Sequence, residues 1–233
     1  MSDMPAILLD CDGVIVDNVA FERRVTDLII TAYADNARLT IEEATRGWQH
    51  ELSQTKGHPS WYDYAFHCDR LGLDGKQVCE RAHFQAAHLL TYVDGARESY
   101  RLMQEYGLQV GIVTDATSWV VDFKLDRLGL HSISFVFASN EALATKSSTS
   151  YWERLVSQYE YFDPLALVDN RQINLLAAKT LLPDLSLVQF EKQEHVMTLP
   201  LAQAPTSNGL YDNTVKIVHD HHELQHWLAN KVA

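Results

Sequence analysis

The sequence lacks the features that mark secreted, membrane-spanning and dinucleotide-binding proteins. It holds three unevenly spaced cysteines and no CxxC pair, so we expect reduced thiols rather than a disulfide framework. No apolar run reaches the length of a transmembrane helix, and the first residues show no basic-then-apolar signal pattern. No Gly-rich dinucleotide fingerprint or Walker motif is present either. These absences favour a cytoplasmic protein.

Positive charge is also scarce. The chain has 19 Lys and Arg against 31 Asp and Glu, which gives a formal net charge of -12. Nucleic acids and anionic membranes are bound through clustered Lys and Arg, so we expect neither as a partner. An acidic protein that handles an anionic substrate must instead supply positive charge locally, from a metal ion or from a few placed cations.

Apolar residues make up 46% of the 233 residues, which is enough for one ordinary domain with a substantial core. From residue 93 onward, short apolar runs alternate with helical patterns. Strands that are buried on both faces have continuous apolar sequences. The alternation therefore predicts an α/β fold, a doubly wound parallel sheet with helices on both faces. The predicted strands are 6–10, 108–117, 133–139, 165–170, LSLVQF at 185–190 and VKIVHD at 215–220.

The stretch between the first strand and the rest has a different character. Residues 17–92 place apolar side chains at helical spacing and carry hardly any strand signal. We therefore predict a helical-bundle cap domain over 17–92, inserted into a Rossmann-like core formed by 1–16 and 93–233. A long surface loop is predicted for 197–213.

Polar residues follow several predicted strands at the point where each strand ends. In an open parallel sheet, ligands bind beyond the carboxyl ends of the strands. Each residue alone is weak evidence, because an Asp there is often a helix cap and a Lys is often a solvated surface residue. Together they deliver carboxylates, a hydroxyl and an ammonium group to one rim: Asp10, Asp12, Thr114, Asp115, Lys146, Asp169 and Asn170.

Four segments resemble the motifs of the haloacid dehalogenase superfamily. DCDGVIVD (10–17) resembles the first motif, DxDG(V/T), and GIVTDAT (111–117) resembles the second. Lys146 stands where the lysine of the third motif belongs, and LALVDNRQINLLAAK (165–179) resembles the fourth. The insertion is similar to the helical cap of the subgroup that includes sugar-phosphate mutases, phosphoglycolate-type phosphatases and dehalogenases.

The resemblance implies Mg²⁺-dependent hydrolysis of a small phosphomonoester. Asp10 would be the nucleophile that forms an aspartyl-phosphate; its carboxylate is expected to be ionised at neutral pH without a base. Asp12 would protonate the leaving oxygen and then activate water. Mg²⁺ would be held by Asp10, the main-chain carbonyl of Asp12 and Asp169. Thr114 would hydrogen-bond the phosphoryl oxygens, and Lys146 would pair with Asp10 and the phosphate.

The fourth motif departs from the family pattern. Asn170 and Asn174 stand where further acids are common, and neither contributes charge. Asp169 is then the expected side-chain metal ligand. In the alternative register, Asn170 takes the metal position and Asp10 is nearly alone, which predicts feeble metal-dependent activity.

Two further positions carry alternative interpretations. Asp115 follows Thr114 where Asn is common in the family, and we favour a helix cap over a role in orienting the substrate. Lys56 lies in TKGHPSW (55–61). It either touches the non-phosphate part of the substrate or belongs to an ordinary turn of the cap.

Four other functions remain open. A sugar-phosphate mutase would use the same residues. A dehalogenase is disfavoured by Asp12, because halide release needs no leaving-group acid, and a phosphonate hydrolase would need a reactive cap lysine such as Lys56. A non-catalytic regulatory protein would explain the altered fourth motif. The expected partner is a small phosphorylated metabolite, and the chain is expected to be a monomer or a homodimer.

Overall fold

A computed structural model describes residues 5–159, 163–191 and 215–232 of the chain. The strands are β1 (Pro5–Leu9), β2 (Val16–Asp17), β3 (Thr91–Tyr92), β4 (Gln109–Thr114), β5 (Phe135–Ala138), β6 (Asp163–Asp169), β7 (Ser186–Phe190) and β8 (Val215–Val218). The α-helices are α1 (Val19–Ala37), α2 (Ile41–Ser53), α3 (Tyr64–Arg70), α4 (Gly75–Ala86), α5 (Ala96–Glu105), α6 (Ser118–Leu128), α7 (Ser139–Ala142), α8 (Thr149–Gln158), α9 (Gln172–Lys179) and α10 (His221–Val232). The loop predicted for 197–213 lies outside the described residues.

Six strands form one parallel sheet in the order β5-β4-β1-β6-β7-β8. Strand β1 lies inside the sheet, where Ile7 is in register with Val110 of β4 and Ala166 of β6. Because β1 has a neighbour on each side and a layer of helices on each face, its apolar run is almost fully buried. The predicted doubly wound parallel sheet is confirmed.

Alternate residues of the strands divide between two apolar cores, one on each face of the sheet. Ile7 and Leu9 join the larger core with α5, α6 and α10, whereas Leu8 joins the smaller core with α8 and α9. The smaller core is built around Tyr151 and Trp152, which are both fully buried. The two cores fix the strand ends that carry the polar residues.

Helices α1 to α4 fill the stretch between β2 and β3, and α1 packs against α2 and α4. Strands β2 and β3 pair antiparallel, with Val16 opposite Tyr92, so the two ends of the helical segment meet beside the sheet. Buried side chains of the segment, such as Trp48, belong to the same core as Ile7. The division into a cap over 17–92 and a core over the rest stays a prediction.

None of the described helices is both long enough and apolar enough to cross a lipid bilayer.

Candidate active site

The loop after β1 places two carboxylates at the carboxyl edge of the sheet. Asp10 continues the pairing with β6 through its main-chain N–H, which donates to Val168 O at 2.9 Å. Gly13 then turns the chain with φ +81°, and a Cβ at this position would lie 2.5 Å from Asn170 Nδ2. Glycine is therefore required both for the backbone conformation and for the close approach of Asp12 to the fourth motif.

Lys146 is a buried ammonium between two of the predicted site carboxylates. Its Nζ lies 2.6 Å from Asp10 Oδ1 and 2.7 Å from Asp169 Oδ2. The main chain of Lys146 is fixed as well, because its N–H donates to Asp115 Oδ1 at 2.7 Å and its carbonyl accepts from Trp152 Nε1 at 2.7 Å. The structure thus brings together Asp10, the predicted nucleophile, and Lys146, which the sequence predicted to pair with it.

Burial governs the ionisation of this pair. It raises the pKa of Asp10 from 3.8 to about 8; Lys146 opposes this rise and Asp169 adds to it. Burial alone would lower the pKa of Lys146, but Asp10 and Asp169 outweigh it and hold that pKa well above its ordinary value. Lys146 therefore stays charged, whereas Asp10 is not ionised at neutral pH as freely as the sequence suggested.

One oxygen of Asp10 is left for chemistry. Within the described residues, the ion pair with Lys146 and the hydrogen bond from Cys11 N both go to Oδ1. Oδ2 has no protein partner among them, and Asp10 lines a cavity at the rim of the sheet. This arrangement leaves Oδ2 as the atom that can attack a substrate or meet a cation.

Asp12 is held by a lysine that the sequence did not single out. Lys124 Nζ, on α6, donates to Asp12 Oδ1 at 2.9 Å and to Oδ2 at 3.0 Å. It also donates to Glu22 Oε1 at 2.8 Å, on helix α1. Burial raises the pKa of Asp12; Lys124 opposes the rise and Glu22 adds to it. The predicted acid–base residue is thus part of an ion cluster in which Lys124 is buried and the two carboxylates, Asp12 and Glu22, are partly exposed.

A signal for Lys124 was present in the sequence. It lies on the helix face that also carries Val120, Val121 and Leu125, all of which are buried. A lysine among apolar residues at helical spacing indicates a buried cation that needs carboxylate partners. Which carboxylates it meets could not be known, because Glu22 and Asp12 lie about a hundred residues away along the chain.

We expect Lys124→Met to lower the free energy of unfolding by about 2 kcal/mol, because Asp12 and Glu22 lose their shared cation and repel each other. The value is below that of a fully buried pair, since both carboxylates are partly exposed and screened. Urea unfolding at pH 7 measures it. Lys76→Met is the matched control, because Lys76 forms only an exposed pair with Glu80. Equal stability of the two variants would contradict the expectation.

Strand β4 ends at Thr114, and Asp115 follows it at the same rim. Thr114 Oγ1 accepts from Ala116 N at 3.1 Å, which shapes the loop, and Thr114 lines the cavity. Asp115 does not cap α6. Ser118 N donates instead to Asn140 Oδ1 at 2.9 Å. The favoured interpretation of Asp115 as a helix cap is therefore wrong, and its carboxylate serves the site by binding Lys146 N.

The fourth motif differs from the arrangement expected for a metal ligand at Asp169. Both Asp169 oxygens accept hydrogen bonds: Oδ2 from Lys146 Nζ, Oδ1 from Arg171 N, and each from Asn174 Nδ2 at 3.1 Å. Asn170 lies closer to the first motif, and its Nδ2 donates to the carbonyl of Asp12 at 3.1 Å. These contacts resemble the alternative register, in which Asn170 takes the metal position. The assignment of Asp169 to a metal stays a prediction.

The site still offers oxygen ligands of the type that Mg²⁺ prefers. In the described part of the chain, no cluster of three or more His, Cys, Asp or Glu side chains could hold a metal. The oxygens that could still meet a cation are Asp10 Oδ2, the amide oxygen of Asn170 and the Asp12 carbonyl, which has a second lone pair besides the one that accepts from Asn170 Nδ2. Asn174 Oδ1 is also buried, without a hydrogen-bond partner among the described residues. The donor set fits Mg²⁺ in kind, with a single carboxylate oxygen that is uncommitted among the residues that the structure describes.

Two residues that the sequence reasoning missed complete the cavity, Arg171 and Tyr62. Arg171 Nη1 donates to Tyr62 Oη at 3.1 Å and lies 3.5 Å from Asp115 Oδ2. Arg171 lies within the fourth motif, directly after Asn170, so its place at the rim was foreseeable; Tyr62 lies in the helical segment, and its place was not foreseeable. The cavity measures about 150 Å³ and is lined by Asp10, Asp12, Tyr62, Thr114, Asp115, Ala116, Lys146, Asn170, Arg171 and Asn174.

Lys56 is not among the residues that line this cavity. It is exposed, six residues before Tyr62, in the turn that precedes a 3-10 helix at Pro59–Tyr62. The structure therefore does not bring it together with the other predicted site residues. Its contact with substrate stays a prediction.

Comparison with known families gives one clear match. The model of a family described as haloacid dehalogenase-like hydrolase matches residues 4–180, which is more than half of the chain. A search of curated proteins found no significant match.

Solved structures share the fold at low sequence identity. A HAD phosphatase from Thermococcus onnurineus is 17% identical with a TM-score of 0.76, over 99% of this chain and 100% of that one. A 2-haloacid dehalogenase from Pseudomonas syringae is 12% identical with a TM-score of 0.63, over 97% and 99%. YfnB of Bacillus subtilis, a proposed HAD-hydrolase bound to magnesium, is 14% identical with a TM-score of 0.60, over 97% and 99%.

Proposed function

The chain belongs to the haloacid dehalogenase-like hydrolases, and we propose that it hydrolyses a small phosphomonoester through an aspartyl-phosphate on Asp10. One observation carries this proposal. Asp10 has one oxygen bound to a buried ammonium and the other without a hydrogen-bond partner among the described residues, at the cavity, and a second carboxylate, Asp12, follows two residues later. A phosphatase needs both carboxylates, whereas a dehalogenase needs no acid for its leaving group.

The reaction has two steps on these residues. In its ionised form Asp10 attacks phosphorus through Oδ2, the bond to the leaving oxygen breaks, and protonated Asp12 gives that oxygen its proton. Asp12 then takes a proton from water, which attacks the phosphorus of the aspartyl-phosphate, and inorganic phosphate leaves with Asp10 restored. Lys146 stays charged throughout and offsets negative charge at the phosphoryl group.

We further propose that the active form binds Mg²⁺. Asp10, the main-chain carbonyl of Asp12 and Asn170 would hold it, and Asp169 would instead position Lys146. When bound, the ion supplies positive charge for the phosphoryl oxygens. Because the described residues leave a single carboxylate oxygen uncommitted at this site, weak affinity is expected. A cytoplasmic location and a monomer or homodimer remain our predictions.

The test is hydrolysis of a generic aryl phosphate at neutral pH, with Mg²⁺ and with EDTA, for the wild type and Asp10→Asn. Activity that requires both Mg²⁺ and Asp10 supports the proposal. Release of halide from a short 2-haloacid without phosphatase activity would replace it with a dehalogenase. Absence of both activities would favour the non-catalytic alternative.

Asn170→Asp is expected to bind Mg²⁺ roughly tenfold more tightly than the wild type, because it adds a charged oxygen beside the Asp12 carbonyl. Isothermal titration calorimetry with MgCl₂ measures the change. Asn36→Asp is a matched control, since Asn36 is exposed in the helical segment. An unchanged Kd for Asn170→Asp would contradict the metal assignment without touching the role of Asp10.

A further inference from the structure

The C-terminal helix α10 contacts the loop that carries the predicted acid–base residue. His221 is the first residue of α10, and its side chain is buried. Its Nε2 lies 2.7 Å from the main-chain oxygen of Val14, two residues after Asp12. The family model ends at residue 180. The contact therefore joins a part of the chain outside the matched segment to the first motif.

This contact assigns the tautomer of His221. A carbonyl oxygen only accepts hydrogen bonds, so Nε2 carries a proton and donates it to the oxygen of Val14. Nδ1 lies 2.9 Å from Ser99 Oγ on α5. Burial lowers the pKa of His221, although the Val14 carbonyl and nearby carboxylates oppose this, so the ring is neutral at neutral pH. Nδ1 then accepts from the hydroxyl of Ser99, and both ring nitrogens are hydrogen-bonded.

The imidazole of His221 is held from several sides. Ser99 Oγ also accepts from Gln225 Nε2 at 3.0 Å, which ties α5 to α10. Phe190, at the end of β7, packs against the ring with centroids 4.8 Å apart. Gly95 approaches so closely that a Cβ there would lie 2.9 Å from His221 Cβ. Helix α5, the turn before it and strand β7 together fix the ring against the loop.

The loop after β1 has less support from the sheet than the nucleophile has. Asp10 is fixed by the sheet, because its N–H continues the pairing with β6. The chain then leaves the sheet and turns at Gly13. Inside the loop, the N–H groups of Ile15 and Val16 share one acceptor, the carbonyl of Cys11. The path of the loop, and with it the second carboxylate of the first motif, therefore depends on contacts from outside the loop.

We infer that His221 is a positioning residue for the reaction. It holds the Val14 carbonyl so that Asp12 stays where it can give its proton to the leaving oxygen. The inference rests on the proposed phosphatase function. It gives α10 a part in catalysis although none of its described residues lines the cavity.

Two amide variants separate the bond to Val14 from the rest of the side chain. Glutamine carries an N–H donor at about the distance from Cα of the histidine Nε2, so His221→Gln can still donate to Val14. Asparagine is shorter and reaches only the place of Nδ1. His221→Asn therefore keeps a polar contact with Ser99 and loses the bond to Val14.

The readout is the dependence of kcat/KM on the leaving group. Phenyl phosphate and 4-nitrophenyl phosphate are similar in shape, but the phenolate is the more basic leaving group and needs the proton of Asp12 more. General acid catalysis contributes about 10²–10⁴-fold to such a step. We expect His221→Asn, in which Asp12 is displaced, to lose about tenfold more kcat/KM with phenyl phosphate than with 4-nitrophenyl phosphate. A smaller fraction of folded enzyme would lower both values by the same factor.

A rescue variant and a control complete the comparison. His221→Gln should keep the ratio of the two kcat/KM values close to that of the wild type. His222→Asn is the matched control, since His222 is the exposed next residue of α10 and its Nε2 faces His226 on the same helix. It should also keep the wild-type ratio.

The possible results have distinct meanings. Equal losses with the two esters in His221→Asn, no loss at all, or an equally large change of the ratio in His221→Gln overturns the inference and leaves the phosphatase function intact. If the wild type hydrolyses neither ester, or if hydrolysis survives Asp10→Asn, the proposed function fails, and the inference fails with it.

Discussion

We expect Asp10→Asn to lower kcat for any phosphomonoester by about four orders of magnitude or more, which is the range for loss of a nucleophile. Asparagine keeps the shape of the side chain but cannot form the aspartyl-phosphate. Acid quenching of the wild type during turnover, followed by peptide mass spectrometry, should find a phosphoryl group on the peptide that contains Asp10. The variant should show none. Phosphorylation of another residue would contradict the assignment.

A stability measurement distinguishes a loss of kcat that comes from missing chemistry from one that comes from a failure to fold. Between pH 4 and 8 the unfolded chain releases a proton that native Asp10 keeps, since its pKa rises from 3.8 to about 8 on folding. The contribution of Asp10 to the free energy of unfolding of the wild type therefore falls as the pH rises through this window. In EDTA, Asp10→Asn should be the more stable protein at pH 8, and the difference should shrink toward pH 4. Thermal unfolding at the two pH values measures this.

Lys146→Met is expected to have the largest effect on stability, a loss of about 3–5 kcal/mol. The substitution removes the ammonium between Asp10 and Asp169 and leaves two buried carboxylates without a cation. Such a loss is comparable with the whole stability of many domains. Urea unfolding at low temperature is therefore the measurement, with Lys76→Met as the exposed control.

The double variant Asp10→Asn with Lys146→Met keeps this prediction testable if the single variant does not fold. Removing one of the two orphaned carboxylates should recover part of the lost stability, so the double variant is expected to be more stable than Lys146→Met alone. A double variant that is no more stable than Lys146→Met would show that the stability lost in Lys146→Met does not come from unpaired carboxylates.

Much of the site could be predicted because the parallel sheet places the residues at its strand ends along one edge. Asp10, Thr114 and Lys146 follow strands whose apolar runs are continuous, and parallel strands bring such positions to one edge. The motif resemblance then added the pairing of Lys146 with Asp10, which the 2.6 Å contact bears out. Local pattern and global topology agreed at these positions.

The fourth motif shows why the remainder could not be predicted. The sequence placed the strand at 165–170, whereas β6 ends at Asp169. Successive residues of a strand point to opposite sides, so the residue at which the strand ends decides which neighbours each side chain meets. Asp169 meets Lys146 and Asn170 meets Asp12 for this reason. The position of Tyr62 at the cavity could not be predicted for a different reason, because no local sequence pattern fixes how the helical segment lies over the sheet.

The ammonium of Lys124 connects three segments that are distant in sequence. They are the loop after β1, helix α6 of the sheet layer and helix α1 of the helical segment. This makes the helical segment and the sheet layer co-adapted parts rather than exchangeable modules. In a chimera that received helices α1 to α4 from a relative without a residue like Glu22, Lys124 would keep its contact with Asp12 and lose its second carboxylate. Recombination between family members would therefore alter the acid at the centre of the site, even with every motif residue retained.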